Sequence, residues 1–144
     1  MWGARVLATR IRVPSAQALA LLRSSPRLGE TAIMINGELV YSGTQYTLPV
    51  PRLGSRVVIG IEVSQVQDLA SPGVQITLQN KNSDENTEAA WADVVTVGGT
   101  DNQSYSLKGT TIEELVRLKV AVTGAIGKVG MARVFVYEPV WENY

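Results

Sequence analysis

Residues 113–141, EELVRLKVAVTGAIGKVGMARVFVYEPVW, carry the pattern that decides the fold. Val116, Leu118, Val120 and Val122 fall at every second position, with Arg117 and Lys119 between them. Successive side chains of a strand point to opposite faces, so this spacing makes one apolar face and one polar face. A helix of the same sequence would scatter its charges among the branched aliphatics. The reading is an antiparallel strand wet on one side, with Arg117 and Lys119 facing water. Glycines at 124, 127 and 130 interrupt the alternation before it resumes. The last two long strands are therefore expected to form a hairpin.

The same period recurs upstream. RVVIGIEV places Val57, Ile59, Ile61 and Val63 on one face, and GVQITLQN does so with Val74, Ile76 and Leu78. These residues are expected to share a core with Leu118 and its neighbours. Asn36-Gly37 in IMINGELVY predicts a hairpin, because both central positions of a type I′ turn need positive φ. LASPG, NKNSDENTEAA and VGGTDNQ read as loops by their Ser, Asn, Asp, Pro and Gly content. About seven to nine short strands with turns roughly every ten residues predict an all-β fold, an antiparallel β-sandwich or jelly roll.

One segment breaks the pattern. PSAQALALLRSSPRLG has Ser15 as a cap, Leu19 and Leu22 three apart, and Pro26 forbidding continuation. It predicts one short N-terminal helix, either closing an end of the sandwich or docking on a partner or membrane. The expected organisation is an N-terminal arm and helix over residues 1–29 and a β-sandwich over 30–144, one domain overall.

At 144 residues the chain is long enough to bury roughly 65 to 70% of the surface its unfolded form exposes. Thirteen basic and thirteen acidic residues cancel, which gives no overall field to recruit nucleic acid or an anionic membrane. Residues 1–29 nevertheless hold five arginines and no acid, while Glu138 and Glu142 make the other end acidic. ALALL, residues 18–22, is too short for a signal-peptide core, and no apolar run approaches a membrane span. A soluble protein acting in or released from the cytoplasm is expected.

Histidine and cysteine are absent, so Ser-His-Asp and Cys-His chemistry is excluded and the commonest zinc ligands are missing. Asp84, Glu85 and Glu88 cluster in NSDENTE, where they read as a solvated loop. Their spacing lacks the Gly-punctuated alternation of a calcium loop. VTVGGTDNQS and GAIGKVG lack the Lys-Ser/Thr ending of a phosphate loop and connect strands. Trp91 at the start of a strand reads as a core plug, and Trp141 and Tyr144 lie on a tail too polar for core.

The order VQITLQNKNSDENTEAAWADV, then YSL, then EELVRLKVAVTGAIGKVGMARVFV resembles the β-sandwich capsid cement, or decoration, proteins of tailed bacteriophages. The matching residues are Leu78 and Gln79, Ser83 and Asp84, Val116 to Leu118, and Val122 to Gly124, within residues 56–137. The resemblance implies a non-enzymatic virion structural protein, assembled in the host cytoplasm, that binds and stabilises a capsid lattice. Its implied partners are the major capsid protein and further copies of itself, as a trimer or dimer, with no cofactor, nucleic acid or membrane. Arg and aromatic residues are enriched at interface cores, which makes Arg5, Arg10, Arg12, Trp141 and Tyr144 the candidate contact residues. The ARVLATRIRVP arm alternates as well, so it reads equally as an edge strand. The alternative is a carbohydrate-binding module or another β-sandwich interaction domain, which two or three coplanar exposed aromatics would mark.

Overall fold

A computed structural model describes residues 33–143. Its strands are β1 (Ile35–Tyr41), β2 (Gly43–Tyr46), β3 (Val50–Pro51), β4 (Arg56–Gln67), β5 (Leu69–Lys81), β6 (Ala92–Gly99), β7 (Gln103–Thr110), β8 (Leu115–Gly124), β9 (Met131–Val136) and β10 (Val140–Glu142). A single turn of 3₁₀ helix, Glu88–Ala90, lies between β5 and β6. The expected N-terminal arm and short helix lie outside the described residues.

Two antiparallel sheets form a β-sandwich. In the first, β4 pairs with β7 along one edge, and with β9 and β10 in succession along the other; β1 then pairs with β9. In the second, β8 pairs with β5 on one side and with β2 and β3 in succession on the other; β6 flanks β5. The inner faces meet in one apolar core. Val57, Ile59, Ile61 and Val63 of β4 face Val74, Ile76 and Leu78 of β5 and the alternating residues of β8, all of them buried. The two-residue period predicted this set, because only one register puts every branched aliphatic inside.

Three strands change sheets at one corner. β1 passes into β2 through Ser42, β4 into β5 through Asp68, and β8 into β9 through an arch at residues 124–130. Hydrogen bonds tie the three crossings together. Ser42 N donates to Gly130 O (3.0 Å), Gly130 N to Ser42 Oγ (2.7 Å), and Ala125 N to Asp68 O (2.7 Å). Sandwiches turn corners in this way when strands bend from one sheet into the other.

This corner corrects the expected terminal hairpin. β8 and β9 are consecutive, yet they lie in different sheets and do not pair with each other. The glycines serve a close crossing: a Cβ on Gly124 would stand 2.7 Å from Gly130 N. Asn36-Gly37 is likewise no hairpin turn. Val134 pairs with Glu38 and Phe135 with Asn36, so Gly37 bulges out of β1 without a partner. Its φ of +74° supplies the positive φ that the sequence signalled, within a strand rather than between two. The Phe135 ring fills the space above it, 2.6 Å from where a Cβ would sit.

Candidate functional site

On the outer face of the second sheet, polar and aromatic side chains of several strands interlock. Arg117 stands on β8 opposite Gln79 of β5, which in turn lies opposite Asp93 of β6. Alternation assigned Arg117 to water, but it is only 7% exposed. Its Nε donates to Gln79 Oε1 (2.8 Å), and its two terminal nitrogens form a fork on the Glu88 carboxylate. The guanidinium carbon lies 4.0 Å from the Tyr46 ring centroid and 4.4 Å from that of Trp91, so the two rings bracket it. Gln79 Nε2 donates to Asp93 Oδ1 (2.8 Å), which fixes the amide's orientation.

The loop after β5 makes this cover possible. Lys81 Nζ donates to Glu85 O (2.8 Å), and Glu85 Oε1 accepts from Asn82 N (3.0 Å), which closes the turn. Glu114 Oε1 accepts from both N and Oγ of Ser83, 2.8 Å each, and anchors the loop to the start of β8. The chain then folds over β8, and the 3₁₀ turn presents Glu88 and Trp91 to Arg117. Asp84, Glu85 and Glu88 are all exposed, as expected of a solvated loop, while Glu85 and Glu88 also hold partners in Asn82 N and Arg117. Trp91 is half-buried on the outside of the sandwich and is not the expected core plug.

The electrostatics follow the contacts. The Arg117 hydrogen bonds, with its charge and that of Lys81 adding to them, hold the Glu88 carboxyl below its ordinary value. The backbone and hydroxyl donors of Ser83 do the same for Glu114. The cluster thus consumes its own charges, a guanidinium paired to a carboxylate. The facing sides of Tyr46 and Trp91 are filled by Arg117, so they do not make the flat pair that a sugar platform needs. Among the described residues, no group of three or more His, Cys, Asp or Glu is placed to hold a metal ion.

Of the contact residues expected from the sequence, only Trp141 falls within the described residues; Arg5, Arg10, Arg12 and Tyr144 lie outside them. Trp141 belongs to β10, pairs with Val57 of β4 and packs half-buried against the core. The tail around it is polar, but Val140 and Glu142 point outward while the indole points in. Glu142 also meets Arg56 at 3.6 Å, with Arg56 half-buried and Glu142 exposed.

Exposed apolar residues gather instead at the two ends of the β1 and β9 pair. At the corner end are Tyr41 (48% exposed), Val129 (65%) and Ile126, which at 102% is fully exposed at the tip of the arch. At the far end Met34 and Tyr137 are exposed, one step beyond the pairing of Val136 with Ile35. The Tyr137 ring lies nearly parallel to that of half-buried Phe135, at an interplanar angle of 10° and a centroid distance of 6.2 Å. The Tyr137 hydroxyl donates to Glu62 Oε1 (2.8 Å), which raises its pKa. The sequence marked neither patch, because single apolar residues in turns carry no periodic signal. Among the described residues no helix is long and apolar enough to cross a membrane. No protein-family model and no curated protein sequence matches the chain.

Proposed function

We propose that this chain is a non-enzymatic virion structural protein that binds and stabilises a phage capsid lattice, working as a small homo-oligomer on the capsid surface. The observation that carries the reading is the pair of exposed apolar patches at the ends of β1 and β9. Their side chains lie outside the core, and clustered exposed apolar side chains mark contact with other macromolecules. The only buried ionic side chain among the described residues, Arg117, is engaged within the chain and so supports the same view: the outer face of the second sheet is closed by its own contacts. A jelly-roll strand order belongs to this proposal and not to the sandwich as such. Many copies on a closed shell make weak single contacts effective, because linked binding raises avidity without adding contacts.

The test is cosedimentation with undecorated capsids of the virus that encodes the chain. The expected result is saturable binding in a fixed ratio to the major capsid protein, lost when Ile126→Asp is combined with Tyr137→Ser. Failure to bind capsids, together with saturable binding of a polysaccharide, would replace this reading with the carbohydrate-module alternative.

A further inference from the structure

The two apolar patches differ in shape, and the difference suggests what they contact. Ile126 sits at the first central position of a tight turn in which Lys128 N donates to Ala125 O (2.9 Å) and Gly127 takes φ +75°. The turn is braced by Ala125 N on Asp68 O and by Gly130 on Ser42. A fully exposed isoleucine on so constrained a loop is a preformed knob, which loses little conformational freedom when it docks. The far patch is a shelf: Met34 and Tyr137 lie on the outer side of the first sheet, with Phe135 beneath. Knob and shelf stand at opposite ends of β1, roughly 20 Å apart at about 3.3 Å per residue. One molecule cannot bring them together.

Their charges are also complementary. Lys128 flanks the knob, 61% exposed and only loosely paired with Asp68 at 3.6 Å. Glu62 and exposed Glu138 flank the shelf. We infer that the knob of one copy, Ile126 with Val129, docks on the Met34 and Tyr137 shelf of a second copy, with Lys128 facing the acidic side of that shelf. Each copy offers one half of the contact and receives the other. Docked reciprocally, two copies bury both knobs and both shelves about a two-fold axis; docked head to tail, copies close as a ring, so the contact fits either of the two oligomers expected from the sequence. The inference rests on the self-association part of the proposed function and uses the same two patches.

Light scattering on sized fractions of the full chain provides the test, with Ile126→Asp and Tyr137→Ser each measured alone and then mixed, and Met34→Asp as a second shelf variant. Wild type is expected to form a closed dimer or ring as concentration rises, and each variant alone to remain monomeric with an unchanged circular dichroism spectrum. The mixture is expected to form a one-to-one pair, since one variant keeps an intact shelf and the other an intact knob. A wild type that stays monomeric into the millimolar range would overturn the inference, as would variants that assemble like wild type, or mixtures with either shelf variant that stay monomeric. Capsid binding is measured separately at a concentration where wild type is monomeric, so a chain that assembles but ignores capsids counts against the virion reading alone.

Discussion

Replacing Arg117 with alanine removes a guanidinium held at once by Gln79, Glu88, Tyr46 and Trp91. Charge-assisted hydrogen bonds and two ring contacts are lost, and Gln79 Oε1 loses its donor. The expected loss is about 2 to 3 kcal/mol, read as a lower urea midpoint with an unchanged slope. Lysine is expected to restore little of it, since an ammonium cannot form the planar fork or lie flat between two rings. The same contacts set a pH dependence. Glu88 and Glu114 both have folded pKa values below their ordinary ones, through Arg117 and Ser83 respectively. The stability they contribute is fully present above the ordinary glutamate value and falls away as pH drops through the depressed folded values. The Glu88 share should vanish in Arg117→Ala, so the gap between the stabilities of the two proteins is expected to narrow at low pH, leaving the part due to Gln79 and the two rings. Leu118, adjacent in sequence and fully buried, answers to different physics: Leu118→Ala is expected to cost about 2 to 5 kcal/mol through an unfilled cavity.

At the scale of single elements, the bulge in β1 gives the sharpest test. Gly37→Ala forces a Cβ onto the Phe135 ring at a backbone φ that side chains rarely adopt, with an expected loss of about 1 to 3 kcal/mol. Adding Phe135→Ala should relieve the clash but not the backbone strain, so the double mutant is expected to lose less than the sum of the singles. Additive losses would mean that ring and bulge are independent. This element also marks how far the sequence could be read. Alternation located the inward faces of β4, β5 and β8 correctly, because burial of one face imposes a period that no helix shares. Asn36-Gly37 announced a positive φ, which Gly37 has, but the hairpins expected there and at the arch glycines did not form, because turn chemistry does not say which strands the bend joins. Arg117 stayed hidden for a related reason. Its position on the outer face was legible, while the loop that covers that face is fixed by Ser83, Glu85 and Glu88, whose partners lie 29 to 31 residues away or within the loop itself. The corner patch was invisible because Tyr41, Ile126 and Val129 come together only through the crossing.

For the whole molecule, the edges of the sheets determine how it can meet other molecules. β2 has only four residues, and β3 follows Pro49 and ends at Pro51, so that edge of the second sheet offers few free backbone donors. The bulge at Gly37 interrupts β1 in the same way. Short, proline-bearing or bulged edges resist strand addition, whereas the opposite edges, the eight-residue strands β6 and β7, are longer and free of proline. The C-terminal strand belongs to the fold for the same structural reason. β10 completes the edge of β4, its Trp141 covers the core beside Val57, and Glu142 O approaches Gly54 so closely that a Cβ there would stand 2.5 Å away. A tail that served only as an arm could be removed at no cost to stability. Deleting residues 141–144 is instead expected to cost about 2 kcal/mol, the order of burying part of a large aromatic side chain, and to lower the melting temperature by roughly 5 to 10 °C. Substituting Trp141 alone with serine should account for most of that drop, because the indole is the part of the strand that reaches the core. A deletion that leaves the melting temperature unchanged but weakens capsid binding would return the C-terminus to the role of a free arm, and would move the contact surface from the β1 and β9 patches to the tail.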